Sequence, residues 1–346
     1  MRQFLILVVV FFLLPVHAFA AEYTVPEPEG LGEVYIPEET ESFGQGLWKI
    51  VTKAIEKLQP AIASAGRMCV GILIAVVILS VAGSITGARE KTTDLVGAAV
   101  IAYLLFGSTN TMISLAVTTV NDLSSYGKLL LPVMTSTMAA QGDAITSGAL
   151  YTATAVFDAV LSGVISGLLV PMVYIYLVLA VGGSALGDGM LEKLRDQIKG
   201  FIVWVLKTAL YIFMGYMSIT RVISGSADAA ALKATKLTIS GMVPVVGGIL
   251  SDASEAILVS AGMVKNTVGA YSLWAVLAIW IEPFLRIGVQ YLLLKGTLTI
   301  CEIFGPKRAA GLIKCFSAAM GLLLAMTGAV CVMLLVSVVC FMKGVS

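Results

Sequence analysis

The sequence predicts an all-α, polytopic bundle of transmembrane helices, and three observations predict it. Of 346 residues, 58% are hydrophobic and only 12% are charged, whereas a soluble domain carries about 25% charged residues to cover its surface. Mean hydropathy is +0.97. Apolar runs of about 20 residues, enough to cross a hydrocarbon core of about 30 Å, recur along the chain. The formal net charge of +1 implies neither a basic surface for nucleic acid nor an acidic one for cations.

Residue counts narrow the chemistry further. The only histidine, His17, lies in a segment expected to be removed. Without it there is no Ser-His-Asp or Cys-His catalysis, no histidine-ligated zinc or haem, and no histidine proton relay. Cys69, Cys301, Cys315, Cys331 and Cys340 each fall in or beside an apolar run, and no CxxC pair occurs. They read as small buried hydrophobes. The expectation is a protein that is not an enzyme, with no catalytic, cofactor-binding or metal-binding residues.

The elements follow in order. Arg2, the apolar run Phe4–Leu14, Pro15 and the small-x-small site Ala18-Phe19-Ala20 read as a signal peptide over 1–20, too short to span. Cleavage leaves 21 basic and 21 acidic residues and an extracytoplasmic N-terminus. Residues 21–46 hold Glu22, Glu27, Glu29, Glu33, Glu38, Glu39 and Glu41 among Pro26, Pro28 and Pro37, which predicts disorder. Over 47–63, Leu47, Ile50, Val51, Ala54, Ile55 and Leu58 recur at helical spacing, with Lys49, Lys53, Glu56 and Lys57 on the other face. That is an amphipathic helix, lying in the outer membrane interface or docked on the protein itself.

The polytopic domain occupies 66–343. Its first span, Met68–Gly87, is followed by Arg89 and Lys91, cytoplasmic by the positive-inside rule. Apolar runs follow at Leu95–Val120, Leu129–Ala140, Ala144–Ser166, Leu168–Gly187, Phe201–Gly225, Gly241–Leu250, Ala256–Ile279, Ile281–Ile300 and Leu312–Met342. An offset of 112 residues aligns Pro132 with Pro244 and Pro171 with Pro283 without a gap, and also pairs Val133/Val245, Ala144/Ala256 and Ile175/Ile287. This points to a duplication, with repeats 128–225 and 240–343. Each copy is expected to hold a short proline-bearing segment, a long apolar hairpin, a basic loop and another span. The loops Asp188–Lys199 and Glu302–Lys314 should both be cytoplasmic, which makes the repeat parallel.

Pro132, Pro171, Pro244 and Pro283, with Gly247 and Gly248, are the candidate helix-break or pore positions, because transporters often place a site where helices are interrupted. Proline-kinked packing helices are the other reading. Asp158, Lys207, Glu282 and Arg286 lie inside apolar runs. A lone charge facing lipid costs about 2.5–3.5 kcal/mol, so each should be a buried polar contact. They form either a polar path or a mutually neutralising set, such as Asp158 with Lys207 and Glu282 with Arg286. Glu282 and Arg286 are four apart and share a helix face. The glycines, 34 in all, include small-xxx-small pairs such as Gly163/Gly167, which favour close packing and would suit a homo-oligomer. No GxxxxGK[ST] loop occurs, so energy for transport must come from a partner or a gradient.

The stretch Met242–Leu273 is the most individual. Its Val243-Pro244-Val245-Val246-Gly247-Gly248, Leu250-Ser251-Asp252-Ala253 and Lys265-Asn266 resemble the corresponding region of the stage III sporulation protein AE family of endospore-forming bacteria. A signal followed by a polytopic body over roughly residues 45–343 is similar to that family too. The resemblance implies a membrane component of the transport or secretion channel that the mother cell builds around the forespore, in the mother-cell membrane facing it. It implies as partners a cytoplasmic secretion-type ATPase and ring-forming membrane proteins of the same complex, and a need for the protein in late forespore gene expression. A self-contained secondary transporter and an assembly scaffold acting through residues 21–63 are the rival expectations.

Overall fold

A computed structural model describes residues 43–86, 90–140, 144–223, 267–304 and 306–343. Among the described residues every element is helical. Helix α1 is Phe43–Glu56 and α2 is Gln59–Thr86. Helix α3 is Glu90–Ala140. Helices α4 (Ala144–Val164) and α5 (Val170–Leu186) run into one another through a π-helical turn at Ile165–Leu169. Helix α6 is Gly189–Ile223, α7 is Thr267–Phe304 and α8 is Lys307–Lys343.

Among the described residues six stretches are long and apolar enough to cross a membrane, from 24 residues at Gln59–Ala82 to 43 at Leu95–Thr137. In lipid each backbone N–H and C=O must be satisfied within its own helix, which favours few, long, uninterrupted helices. At a rise of 1.5 Å the 51 residues of α3 reach about 76 Å. Its ends therefore lie beyond a hydrocarbon core of about 30 Å at any tilt up to about 40°.

Helix α8 forms the axis. Its most apolar stretch is 94% buried inside the bundle, against 22% for that of α2. It packs against α3, α4, α5, α6 and α7. Side chains such as Phe316, Leu323, Met326, Val330 and Leu335 are completely enclosed. Close approach has a visible cause at Gly127 of α3, where an added Cβ would lie 2.9 Å from Leu334 Cδ2. Helix α1 is docked on α7, with Ile50 and Ala54 buried and Trp48, Lys49 and Lys53 outward. Its first turn, Phe43–Gly46, extends into the acidic segment, and residues 59–63 belong to α2.

Several sequence expectations are corrected. Leu95–Val120 and Leu129–Ala140 form one helix. The polar interval Asn121–Lys128 does not break it, because Leu123, Ser124 and Tyr126 turn inward. Ala144–Ser166 and Leu168–Gly187 are likewise one run of helix rather than a hairpin. A turn near Ser166-Gly167 would leave backbone groups unpaired in an apolar setting, whereas a π turn keeps them bonded. The residues of α7 on both sides of Ile281 are also continuous. Pro132 and Pro283 sit inside unbroken helices. Pro171 follows the π turn, whose wider winding makes room for the ring against the preceding turn. Pro244, Gly247, Gly248, the signal peptide and most of the acidic segment lie outside the described residues.

The hairpins α5–α6 and α7–α8 both turn at the same end. Gly187 closes α5 in the left-handed region at φ 70°, donating its N–H to Gly183 O at 2.8 Å. Arg308, in the first turn of α8, donates from Nη1 to Ala185 O at 3.4 Å and covers Gly187.

Three outcomes check this arrangement. Leu323→Ala, in the enclosed axis, should lower unfolding free energy in detergent by about 2 kcal/mol or more. Val178→Ala, 65% exposed on α5, should stay within about 0.5 kcal/mol. Gly187→Ala should cost about 1–2 kcal/mol from its backbone conformation alone; a neutral result would mean that this turn relaxes.

Candidate functional site

The four charged residues singled out within apolar runs are disposed of in three different ways. Glu282 on α7 is 2% exposed, and its Oε1 forms an ion pair with Arg286 Nη2. The two lie one turn apart on one helix face, so any α-helix through this sequence brings them together. Pro283 lies between them without breaking the helix. Arg286 is partly exposed; its Nε is buried and makes no hydrogen bond. Beside the pair, Trp280 and Phe284 stack with ring centroids 4.2 Å apart.

Asp158 on α4 is also 2% exposed, but it forms no ion pair among the described residues. Its Oδ2 accepts from Ser124 Oγ of α3 at 2.6 Å, and its Oδ1 has no hydrogen-bond partner. One turn earlier on the same face of α4, the Thr154 hydroxyl is fully buried and likewise unpartnered. One turn later, Ser162 Oγ donates to the Asp158 carbonyl at 2.7 Å.

Lys207 on α6 differs from the expected buried contact. Its side chain points outward, and it makes no ion pair with Asp158. A lysine can lie along an apolar surface and carry its ammonium to a polar boundary, which lets it face outward without an internal partner. Of the four charged candidates, the structure therefore joins Glu282 with Arg286 and leaves Asp158 and Lys207 apart.

Other polar links were missed from sequence. Tyr174 donates to Asn110 Oδ1 at 2.6 Å, tying α5 to α3. Arg195 on α6 donates from Nη1 to Cys315 Sγ of α8 at 3.2 Å and pairs with its neighbour Asp196 at 2.9 Å. With Arg308, it draws together at one end of the bundle the basic opening turns of α6 and α8, which were expected as loops and are mostly helix. The signal was present in Asn110, which interrupts an apolar run, and in the basic composition of both loops. Nothing in spacing along the chain gives a partner 64 or 120 residues away. All five cysteines are buried and free of disulfides. On the outer surface, Gly148, Ala149, Thr152 and Ala153 of α4 and Tyr216 of α6 border an apolar groove of about 520 Å³.

Long apolar helices around a filled axis, with acids held inside, define a polytopic integral membrane protein. The model of the stage III sporulation protein AE family matches residues 37–344. The chain belongs to that family, and with it to sporulation. It is 22% identical over 189 residues to the stage III sporulation protein AE of Bacillus subtilis (strain 168), a match covering 54% of this chain and 47% of the relative. The matched part thus spans about half the length of that relative. No solved structure matches.

The α7 pair gives a direct test. Arg286→Leu leaves Glu282 buried without its cation and should cost about 3–5 kcal/mol in detergent unfolding. Adding Glu282→Gln should recover most of that loss. A single-variant loss below about 1 kcal/mol would mean that water reaches Glu282.

Proposed function

We propose that this chain is a non-enzymatic membrane subunit of a transport or secretion channel between mother cell and forespore, needed for late forespore gene expression. The family match over residues 37–344 carries the reading. The filled axis bears on its form. One chain encloses its own apolar helix α8 where a lumen would run, so the conduit forms where this chain meets other subunits. The partners in this reading are a secretion-type ATPase, ring-forming membrane proteins and further copies of the chain.

The protein would sit in the mother-cell membrane around the forespore, with its mature N-terminus extracytoplasmic. The end of the bundle carrying Lys193, Arg195, Lys199, Lys307, Arg308 and Lys314 would then face the cytoplasm, as the positive-inside rule asks. In that orientation the basic opening turns of α6 and α8 would lie within reach of a cytoplasmic motor.

Deletion of the gene should leave growth normal and give engulfed forespores with silent late reporters. The purified chain alone in liposomes should move no solute. Normal spores combined with a nutrient or ion defect in growing cells would overturn the reading in favour of a self-contained transporter.

A further inference from the structure

Asp158 poses a problem of charge, because among the described residues no cation pairs with it. A carboxylate offers about four acceptor positions, and here one hydrogen bond, from Ser124, fills one of them. Oδ1 is buried and bare. Lys128, one turn beyond Ser124 on α3, bears on Asp158 electrostatically, but its side chain lies at the surface and forms no ion pair with Asp158. Buried polar atoms are partnered in the great majority of cases, and an orphan commonly marks an ion or water. A second orphan lies beside the first: the fully buried Thr154 hydroxyl, on the same face one turn away.

Both orphans are answered by one kind of ligand. A proton on Oδ1 turns that oxygen into a donor, and the Thr154 hydroxyl can accept from it. A sodium ion takes carboxylate and hydroxyl oxygens together, the oxygen ligands that hard cations prefer. Either one removes the net charge from the buried acid. We propose that Asp158, Ser124 and Thr154 form a binding site for a single monovalent cation, H⁺ or Na⁺, between α3 and α4. The inference does not rest on the sporulation reading, and it holds for a channel subunit or a transporter alike.

The probe is dicyclohexylcarbodiimide, which partitions into membranes. A carboxylic acid adds across one C=N bond to give an O-acylisourea, which rearranges to a stable N-acylurea and keeps every atom of both reactants. The full chain in liposomes would be treated in choline chloride or in sodium chloride, and the modified peptide identified by mass spectrometry. The wild type should be labelled at Asp158, and Asp158→Asn should lose that label. Protection by sodium would assign the site to Na⁺, and Thr154→Val should then raise the sodium needed by about tenfold, the effect of losing one oxygen that faces a charge. Labelling indifferent to sodium but slowed by raising pH would assign it to H⁺, with Ser124→Ala shifting that pH dependence.

Two outcomes would overturn the site. One is no label at Asp158 together with no sodium-dependent change in thermal midpoint relative to Asp158→Asn. The other is labelling that neither Thr154→Val nor Ser124→Ala alters in rate, sodium dependence or pH dependence. Thr154→Val keeps the buried volume and Ser124→Ala removes only a hydroxyl, so a folded protein remains to be measured in both.

Discussion

A helix can be enclosed from every side only if none of its side chains requires water, and α8 meets that condition from Cys315 to Met342, where no charged residue occurs. The rest of the bundle depends on this. Helices α3 to α7 each present a face to α8, so each needs only one apolar stripe facing inward and can show lipid another. In lipid there is little hydrophobic drive between helices, and association rests on close packing. Gly127 beneath Leu334 and Gly269 beneath Met342 are places where the absence of a Cβ lets backbones approach. Sporadic small residues that look featureless in sequence therefore set the distances between helices.

Composition made the class legible, because 12% charge cannot solvate 346 residues. The spacing of Glu282 and Arg286 made their contact legible too, since four residues along any α-helix return to the same face. What stayed hidden were relations between helices. The interval Asn121–Lys128 reads as a polar boundary, yet α3 passes through it because Ser124 meets Asp158 and Gly127 meets Leu334. Ser166-Gly167 reads as a turn, yet the chain continues as a π turn that keeps its backbone groups bonded. Pairing Asp158 with Lys207 was plausible by charge alone and failed on azimuth, because Lys207 faces outward. Azimuth is set by which stripe each helix gives to α8, and single-helix periodicity is nearly silent where every face is apolar.

The two buried acids show how differently a fold can deal with the same cost. Glu282 carries a cation on its own helix, one turn away, so that pairing is set by α7 itself. Asp158 has no cation within a turn on either side of α4, and its partner Ser124 comes from another helix. Its environment therefore exists only when α3 and α4 are together. A ligand that binds only that assembled pair stabilises it by an amount that grows with the logarithm of ligand concentration. Ser124 and Gly127 lie three residues apart on α3, on adjacent parts of one face, and Gly127 is where α3 meets the axis at Leu334. The contact of α3 with Asp158 and its contact with α8 thus lie within one turn of the same helix. The acid whose partner lies on another helix is the one through which an ion can act on the packing of the bundle.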